Sequence, residues 1–172
     1  SAITIISSDE IKRYGHRTLA DVLQSVPGFH VSYDRNYSFL GARGINLGDF
    51  NSRMLLLIDG HRINNNLTDG AYIGSAFMLD VDLVDRIEII RGPGSVLYGN
   101  NAFFGVINVI TRQGRQLDGA EVSSEFASFD TYRNRATFGR QFTNGLQLLL
   151  SATVYDSAGV KSLYYPEFDN PQ

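Results

Sequence analysis

The first part of the chain mixes helical and strand periodicities. The apolar run Ile3–Ile6 predicts a short strand, and a serine after it can cap a short helix that ends near Gly15. A second helix begins at Thr18, because Thr18 and Asp21 have the spacing of a capping box, and Pro27-Gly28 ends it. Its apolar residues recur at helical spacing and predict one buried face: Leu19, Val22, Leu23 and Val26.

Several apolar runs then predict strands. Phe29–Tyr33 is one, and Met54–Ile58 is a near-continuous apolar run that we expect to be covered on both faces. Asp59-Gly60 separates it from His61–Ile63, and this dipeptide favours a type I′ hairpin because both residues tolerate positive φ. Asn64–Gly74 is rich in Asn, Gly and Asp, which favour local turn hydrogen bonds, so we expect an exposed loop there.

Two more strands complete the first part of the chain. Arg86–Arg91 predicts a strand that Gly92-Pro93-Gly94 interrupts, and Ser95–Tyr98 can form one helical turn. Val106–Thr111 predicts a final β-branched strand. Residues up to about 114 therefore predict an α+β domain with a small mixed β-sheet and short helices.

The pattern changes to a period of two from Gly119 onward. Ala120–Ala127, Tyr132–Phe142 and Leu146–Val154 predict three antiparallel strands, with a tight turn at Asn144-Gly145. Apolar residues occupy mostly the even positions and polar residues the odd ones. Alternating segments of about 10 residues joined by tight turns are typical of transmembrane β-barrel strands. A soluble meander that packs its apolar face on the first domain is the alternative.

Composition excludes several classes of protein. The 172 residues carry 15 Lys+Arg against 18 Asp+Glu, a net charge of −3, so the electrostatic attraction on which nucleic-acid binders depend is missing. There is no cysteine, which excludes a disulfide scaffold. The longest apolar run, Met54–Ile58, is far shorter than the roughly 20 residues of a membrane-spanning helix.

Four blocks of residues resemble the plug domain of TonB-dependent outer-membrane receptors. They are LADVLQSVPGF at Leu19–Phe29, ARG at 42–44, LLLIDGHR at Leu55–Arg62 and VDRIEIIRGPGSVLYGNNAFFGVINVITR at Val84–Arg112. Their order and spacing match the family throughout. A single RGP would be a weak signal, whereas four blocks in register make chance agreement improbable.

The resemblance implies a domain division and a location. Residues 1–114 would form the plug, and residues 115–172 would start the transmembrane β-barrel, with about three antiparallel strands and an outer loop. In this family the plug lies in the lumen of a barrel of about 22 strands in the Gram-negative outer membrane. We therefore expect these residues to be part of a longer receptor.

The resemblance also implies the function and the partners. The intact receptor would take up a scarce ligand of the ferric siderophore, haem or cobalamin class, with energy from the TonB complex of the inner membrane. TonB would engage an N-terminal TonB box, which we expect upstream of Ser1. The full barrel would contact outer-membrane lipid, and no catalytic cofactor and no nucleic acid are expected.

The three strands alone would leave unpaired edges and an apolar face in water. We therefore expect the fragment to self-associate, to fold these strands back on the plug, or to leave them disordered.

Two loops are candidates for ligand contact, because the resemblance places them at the outward-facing end of the plug. The candidate residues combine hydrogen-bonding groups with an aromatic ring in each loop: Asp34, Arg35, Asn36, Tyr37, Asn65, Asn66, Asp69 and Tyr72. Adaptable polar groups beside a rigid aromatic ring suit the recognition of a bulky polar ligand. The alternative for each residue is a solvated turn without a ligand role.

A second candidate group would hold the plug in the barrel. The resemblance places Arg43, Arg91 and Glu88 in such a plug–barrel lock, and a planar guanidinium suits bidentate binding of a carboxylate. The alternative is an ion pair within the domain, for instance of an arginine with Glu88 or Asp85. The glycines with an expected structural role are Gly44, Gly60, Gly92, Gly99 and Gly105.

Enzymatic functions lack support in the sequence. The glycines after Arg91 do not have GxGxxG spacing, and no HExxH, GxSxG or GxxxxGK[ST] motif occurs. His16, His30 and His61 are isolated, so neither an enzyme nor a metal site is expected. A soluble periplasmic binding or interaction module that reuses the plug fold is the remaining alternative to a transporter.

Overall fold

The computed structural model describes residues 2–42, 44–45, 50–160 and 162. The chain forms two compact units, Ser1–Arg112 and Gln113–Gln172. Within the described residues, no helix is long and apolar enough to cross a membrane.

The described residues of the first unit form seven strands and three short α-helices. In chain order they are β1 (Ala2–Ser7), α1 (Ser8–Arg13), α2 (Leu19–Gln24), β2 (Phe29–Tyr33), β3 (Ser38–Ala42), β4 (Met54–Ile58), β5 (His61–Arg62), a 3₁₀ turn (Val81–Leu83), β6 (Val84–Arg91), α3 (Ser95–Tyr98) and β7 (Gly105–Thr111). Strand β3 was not predicted.

Five of these strands form one sheet in the order β1-β6-β7-β4-β5. Strands β4 and β7 are parallel, with Leu56 opposite Ile107, and the other neighbours are antiparallel. Strands β2 and β3 form a separate antiparallel hairpin. The mixed sheet with short helices, followed by antiparallel strands, confirms the predicted α+β fold class.

The predicted capping box of α2 is present. Thr18 Oγ1 accepts a hydrogen bond from the Asp21 amide at 3.1 Å, and the Asp21 carboxylate accepts one from the Thr18 amide at 2.9 Å. The predicted apolar face of this helix is at most 2% exposed. It packs in the main core with residues from four strands of the large sheet: Ile6, Met54, Leu56, Ile87, Ile89, Ile107 and Val109.

The predicted hairpin after β4 also forms. Asp59 and Gly60 have φ values of 49° and 80°, which is the left-handed pair that a type I′ turn requires. The Asp59 carboxylate accepts hydrogen bonds from the amide and the hydroxyl of Thr111, at 2.9 and 2.7 Å. The turn is thereby attached to the end of β7.

The prediction of an exposed loop at Asn64–Gly74 is wrong in part. Asn64, Ala71 and Ile73 are buried, at 4%, 1% and 1% exposure, whereas Leu67 is 93% exposed. Ala71 and Ile73 pack in the main core, and the Ile73 carbonyl accepts a hydrogen bond from Ala20 in α2 at 2.8 Å. The polar composition describes the tip of the loop, while its two ends are anchored in the domain.

As far as the structure describes it, the second unit is an antiparallel sheet with one short helix. It consists of α4 (Gly114–Leu117), β8 (Gly119–Ala127), β9 (Thr131–Gln141) and β10 (Gln147–Asp156), with the strand order β10-β9-β8. Helix α4 was not predicted. It packs closely on the sheet, because a Cβ at Gly139 would lie 2.9 Å from the carbonyl oxygen of Gly114.

The faces of this sheet are inverted relative to those of a soluble domain. Arg135 and Thr137 on the polar face are 6% and 3% exposed. Apolar residues of the opposite face are 40–78% exposed: Val122, Phe126, Phe138, Leu150 and Val154. A soluble sheet normally buries its apolar face and exposes its polar one.

Candidate ligand site at one end of the sheet

Several loops of the first unit meet at one end of the large sheet. The register pairs Met54 and Arg91 each with Gly105, so the segments before β4 and β7 and after β6 lie at the same end. Asn64 joins this end, because its side-chain amide donates to the Met54 carbonyl at 2.9 Å. We call this end the apex.

The apex brings the two predicted ligand loops into contact through aromatic rings. Tyr37, from the first loop, and Tyr72, from the second, have ring centroids 6.5 Å apart. Phe50 packs edge-on against Tyr37 at 5.3 Å, and Phe39 lies 6.0 Å from Phe50. Tyr37 and Phe50 remain 44% and 39% exposed, so the group offers an accessible aromatic surface. We call Tyr37, Phe39, Phe50 and Tyr72 the apical aromatic cluster.

The loop that carries Tyr37 is a tight turn organised by Asp34. The Asp34 carboxylate accepts hydrogen bonds from the amides of Tyr37 and Asn36, at 2.6 and 2.8 Å. These bonds, that of Tyr37 foremost, hold the pKa of Asp34 below the usual value of an aspartate. Arg35 has a φ of 78°, and its carbonyl accepts a hydrogen bond from the Tyr33 hydroxyl at 2.7 Å.

Asn65 organises the second loop in a similar way. Its side-chain oxygen accepts hydrogen bonds from the amides of Leu67 and Thr68, at 2.8 and 3.1 Å, and leaves Asn66 exposed at the tip. The Asp69 carboxylate forms an ion pair with Arg62.

Two glycines at the C-terminal end of the second loop lie close to neighbouring segments of the apex. A Cβ at Gly74 would be 2.7 Å from the Ser38 hydroxyl, and one at Gly70 would be 3.1 Å from the Phe50 Cβ. A side chain at Gly74 would displace the Ser38 side chain of the first loop, and one at Gly70 would press on Phe50, which precedes β4.

The sequence did not indicate some residues that shape the apex. Arg62 also donates to the Asn101 side chain at 3.2 Å, and Asn101 donates to the Ser52 carbonyl at 2.6 Å. The Arg53 guanidinium lies 5.8 Å from the ring centroid of Phe103. Asn101 has a φ of 72°. Asn is enriched in this conformation, so the residue type is a weak local signal in the sequence.

Two of the three candidate lock residues, Glu88 and Arg91, lie in the described part of the chain, and they have different partners. Arg86 pairs with both Glu88 and Asp85, at 2.8 and 3.0 Å, and the hydrogen bond that it donates to Glu88 is the largest of the effects that raise the Arg86 pKa. Arg91 instead donates through Nη1 to the Pro27 carbonyl. Its Nε is buried without a hydrogen-bond partner within the part of the chain that the structure describes. Arg43 lies outside the described residues.

Four of the candidate structural glycines have positive φ: Gly44, Gly60, Gly92 and Gly99. Gly105 permits a close approach, since a Cβ there would lie 2.6 Å from the Ile90 carbonyl oxygen. Over residues 2–42, 44–45, 50–160 and 162, no group of three or more His, Asp or Glu side chains could hold a metal ion.

Comparison with known proteins adds independent findings. Residues 1–106 match the profile of the family described as TonB-dependent Receptor Plug Domain. The Vitamin B12 transporter BtuB of Vibrio vulnificus (strain CMCP6) is 36% identical over 165 residues, which are 92% of this chain and 25% of that protein. The Iron-regulated outer membrane virulence protein of Vibrio cholerae serotype O1 (strain O395) is 33% identical over 148 residues, 84% of this chain and 22% of that protein.

A solved structure has the same fold. The ferric-catecholate import receptor Fiu of E. coli K12, in its open form, superposes with a TM-score of 0.68 at 25% sequence identity. The match covers 91% of this chain and 21% of that one. The chain thus spans a quarter or less of the length of the proteins that it resembles.

Proposed function

Because the chain belongs to the family of TonB-dependent receptor plug domains, we propose that residues 1–114 are the plug of an outer-membrane receptor. Residues 115–172 are then the first strands of its transmembrane barrel, with the plug in the barrel lumen. The family is one of receptors and transporters, not of enzymes.

The proposed function of the intact receptor is the uptake of a scarce, bulky ligand of the ferric siderophore, haem or cobalamin class. The names of the relatives support this range, since one is a vitamin B12 transporter, one is iron-regulated and one imports ferric catecholates. The apex would bind the ligand through both loops. Asp34, Arg35, Asn36, Tyr37, Asn65, Asn66 and Tyr72 are the proposed contacts, and Asp69 would act by positioning Arg62.

The observation that carries this proposal is the contact between Tyr37 and Tyr72 in the apical aromatic cluster. Two loops that are separate in sequence form one accessible aromatic surface, and polar groups surround it. Corrin, porphyrin and catecholate ligands all offer flat conjugated faces and hydrogen-bonding edges. Such ligands can pack on exposed rings while polar side chains bind their periphery.

The second unit supports a membrane location. Its three strands expose apolar side chains on one face and bury an arginine on the other. Strands of a transmembrane barrel alternate in this way, with apolar residues toward lipid and polar residues toward the lumen. In the isolated fragment, the same face would favour self-association, and light scattering that shows a strict monomer would contradict this.

Energy would come from the TonB complex of the inner membrane. Ligand binding can control TonB only if the ligand has different affinities for two states of the plug. We therefore propose that occupancy of the apex changes the state of the N-terminal part of the plug.

Growth of a bacterial strain that lacks its own receptors tests this function. The gene that encodes this chain is supplied in full, and cyanocobalamin or a single ferric siderophore is the sole source of cobalamin or iron. We expect growth on at least one source, and no growth on it when TonB is deleted. Growth that persists without TonB, or recovery of the protein from the soluble periplasm, would contradict the proposal.

A further inference from the structure

One buried asparagine joins the two ligand loops. Asn51 lies just before β4 and is 5% exposed. Its side-chain oxygen accepts a hydrogen bond from the Leu40 amide at 2.6 Å, and its nitrogen donates to the carbonyls of Ser38 and Ala71 at 3.1 and 2.8 Å. A single side-chain amide therefore connects the start of β3, directly after the Tyr37 turn, to the segment that carries Tyr72.

The backbone at this position is unusual. Phe50 and Asn51 have φ values of 47° and 62°, two consecutive left-handed residues without a glycine. Asparagine tolerates this conformation, but a bulky residue such as Phe50 adopts it only where the surroundings hold it there. The Phe50 carbonyl accepts a hydrogen bond from the Ala71 amide at 2.9 Å. Ala71 thus bonds to both left-handed residues: its amide donates to the Phe50 carbonyl, and its carbonyl accepts from the Asn51 side chain.

The consequence is the position of the Phe50 ring. The left-handed turn places it edge-on against Tyr37, at 5.3 Å between centroids and an interplanar angle of 89°. If the backbone relaxed, the ring would leave this position, and the aromatic surface would lose its middle member.

We propose that Asn51 is a positioning residue for ligand recognition. Its side-chain amide holds Phe50 in the left-handed conformation and so assembles Tyr37, Phe50 and Tyr72 before the ligand arrives. The benefit is preorganisation, because a surface that is already ordered loses less conformational entropy on binding. This inference rests on the ligand role proposed above for the apical aromatic cluster.

The chain offers a matched control in Asn64. This asparagine is 4% exposed, and its oxygen accepts a hydrogen bond from the Leu56 amide at 2.9 Å. Its nitrogen donates to the carbonyls of Met54 and Asp69 at 2.9 and 2.8 Å. Asn64 is as buried as Asn51 and has the same bonding pattern. The partners of Asn51 are sequence neighbours of the cluster's rings, whereas those of Asn64 are not. Asn→Asp at either position keeps the side-chain oxygen that accepts a hydrogen bond. It replaces the donating nitrogen with a second oxygen, which then faces two carbonyl oxygens.

The first test needs no ligand. The full-length protein is labelled with 3-fluorotyrosine, and the resonances of Tyr37 and Tyr72 are assigned by Tyr→Phe substitution. We expect Asn51→Asp to shift or broaden both fluorine resonances and Asn64→Asp to leave both in place. Unchanged resonances in Asn51→Asp, or equal changes in the two variants, would overturn the proposal. If Asn51→Asp does not fold, Asn51→Gly replaces it, because glycine keeps the left-handed φ but lacks the amide.

The second test measures binding of cyanocobalamin and of ferric enterobactin to the full-length protein. We expect Asn51→Asp to weaken binding of the recognised probe on the order of tenfold. In a Phe50→Ala background the same substitution should cause no further loss, since Asn51 acts through that ring. Asn64→Asp should have the same effect on binding with or without Phe50. An equal loss from Asn51→Asp in both backgrounds would show that Asn51 does not act through Phe50.

The outcomes separate this inference from the proposed function. If the unaltered protein binds neither probe, the proposed function fails for both ligand types, and the fluorine resonances still decide the role of Asn51. If the unaltered protein and Asn51→Asp bind a probe equally well, the ligand function stands and the positioning role is wrong.

Discussion

Glu121 on β8 and Arg135 on β9 form an ion pair of 2.7 Å, and the Arg135 side chain is 5% exposed. Val122, the next residue along β8, is 78% exposed. Water would favour the opposite arrangement, because it solvates charges well and apolar surface poorly. A sheet that buries its arginine and exposes its valine suits a barrel wall between lipid and lumen.

Substitution at Val122 tests this orientation. In a lipid-facing strand, Val122→Lys should destabilise the protein by about 2–4 kcal/mol near the bilayer midplane. In water the same change at an exposed site would stay within about 0.5 kcal/mol. Urea unfolding of the full-length protein in lipid vesicles measures the difference. The control is Leu67→Lys, at an exposed leucine in a loop, and equal small effects in both variants would contradict a lipid-facing Val122.

The capping box of α2 makes a prediction about stability. Thr18→Ala removes the acceptor for the Asp21 amide and should lower the free energy of unfolding by about 1 kcal/mol. Thr18→Ser keeps the hydroxyl and serves as the control. Urea midpoints of the full-length proteins give the comparison, and an alanine variant as stable as the serine variant would show that the cap contributes nothing.

Arg91 is predicted to hold the plug in the barrel. Its buried Nε has no hydrogen-bond partner among the described residues, so a carboxylate on the barrel wall is the expected acceptor. Arg91→Ala should lower the free energy of unfolding of the full receptor by about 1.5–3 kcal/mol, the usual range for a hydrogen bond to a charged group. It should also let large antibiotics leak into cells.

Arg86→Ala is the control for Arg91. It removes a guanidinium from the same strand, and the partners of this guanidinium are Asp85 and Glu88. We expect little leakage from this variant. If leakage and urea sensitivity in Arg91→Ala match those of the unaltered receptor, Arg91 has no part in a lock.

The stability of the turn at Asp34 should depend on pH only under acid conditions. Its pKa is lowered because the carboxylate accepts hydrogen bonds from Tyr37 and Asn36, so these bonds stabilise the turn above the unfolded pKa, about 3.9. That stabilisation is lost as the pH falls through the lower, folded value. An NMR titration should show Asp34 and the Tyr37 amide changing together below the usual pKa of aspartate, and a normal or raised pKa would contradict the turn geometry.

The sequence predicted the locally encoded elements well. Thr18 and Asp21 carry their capping signal within four positions, and Asp59-Gly60 carries its own turn preference. The alternation from Gly119 onward predicted both the three strands and the separation of their apolar and polar faces. In each case, the decisive interactions lie between neighbours in sequence or follow from a regular period.

The parts that were missed depend on distant contacts. Strand β3 forms because Ser38–Ala42 pairs with Phe29–Tyr33, and its own pattern carries no clear period. Asn64 has the composition of a solvated loop, yet it is buried because it bonds to β4. The role of Asn51 depends on Ala71, 20 positions later, which no local signal indicates. The sequence predicted the two loops as candidates for ligand contact, but it did not indicate the residues that hold them together.

Energised uptake tests the central claim most directly. Cells without receptors of their own express the full-length protein, either unaltered or with Tyr37→Ala, and receive radiolabelled cyanocobalamin or ferric enterobactin with and without a protonophore. We predict that the unaltered protein accumulates one of these ligands, that the protonophore abolishes accumulation, and that Tyr37→Ala reduces it severely. A protein that reaches the outer membrane and accumulates neither ligand, or whose uptake is indifferent to the protonophore and to Tyr37, would contradict the account.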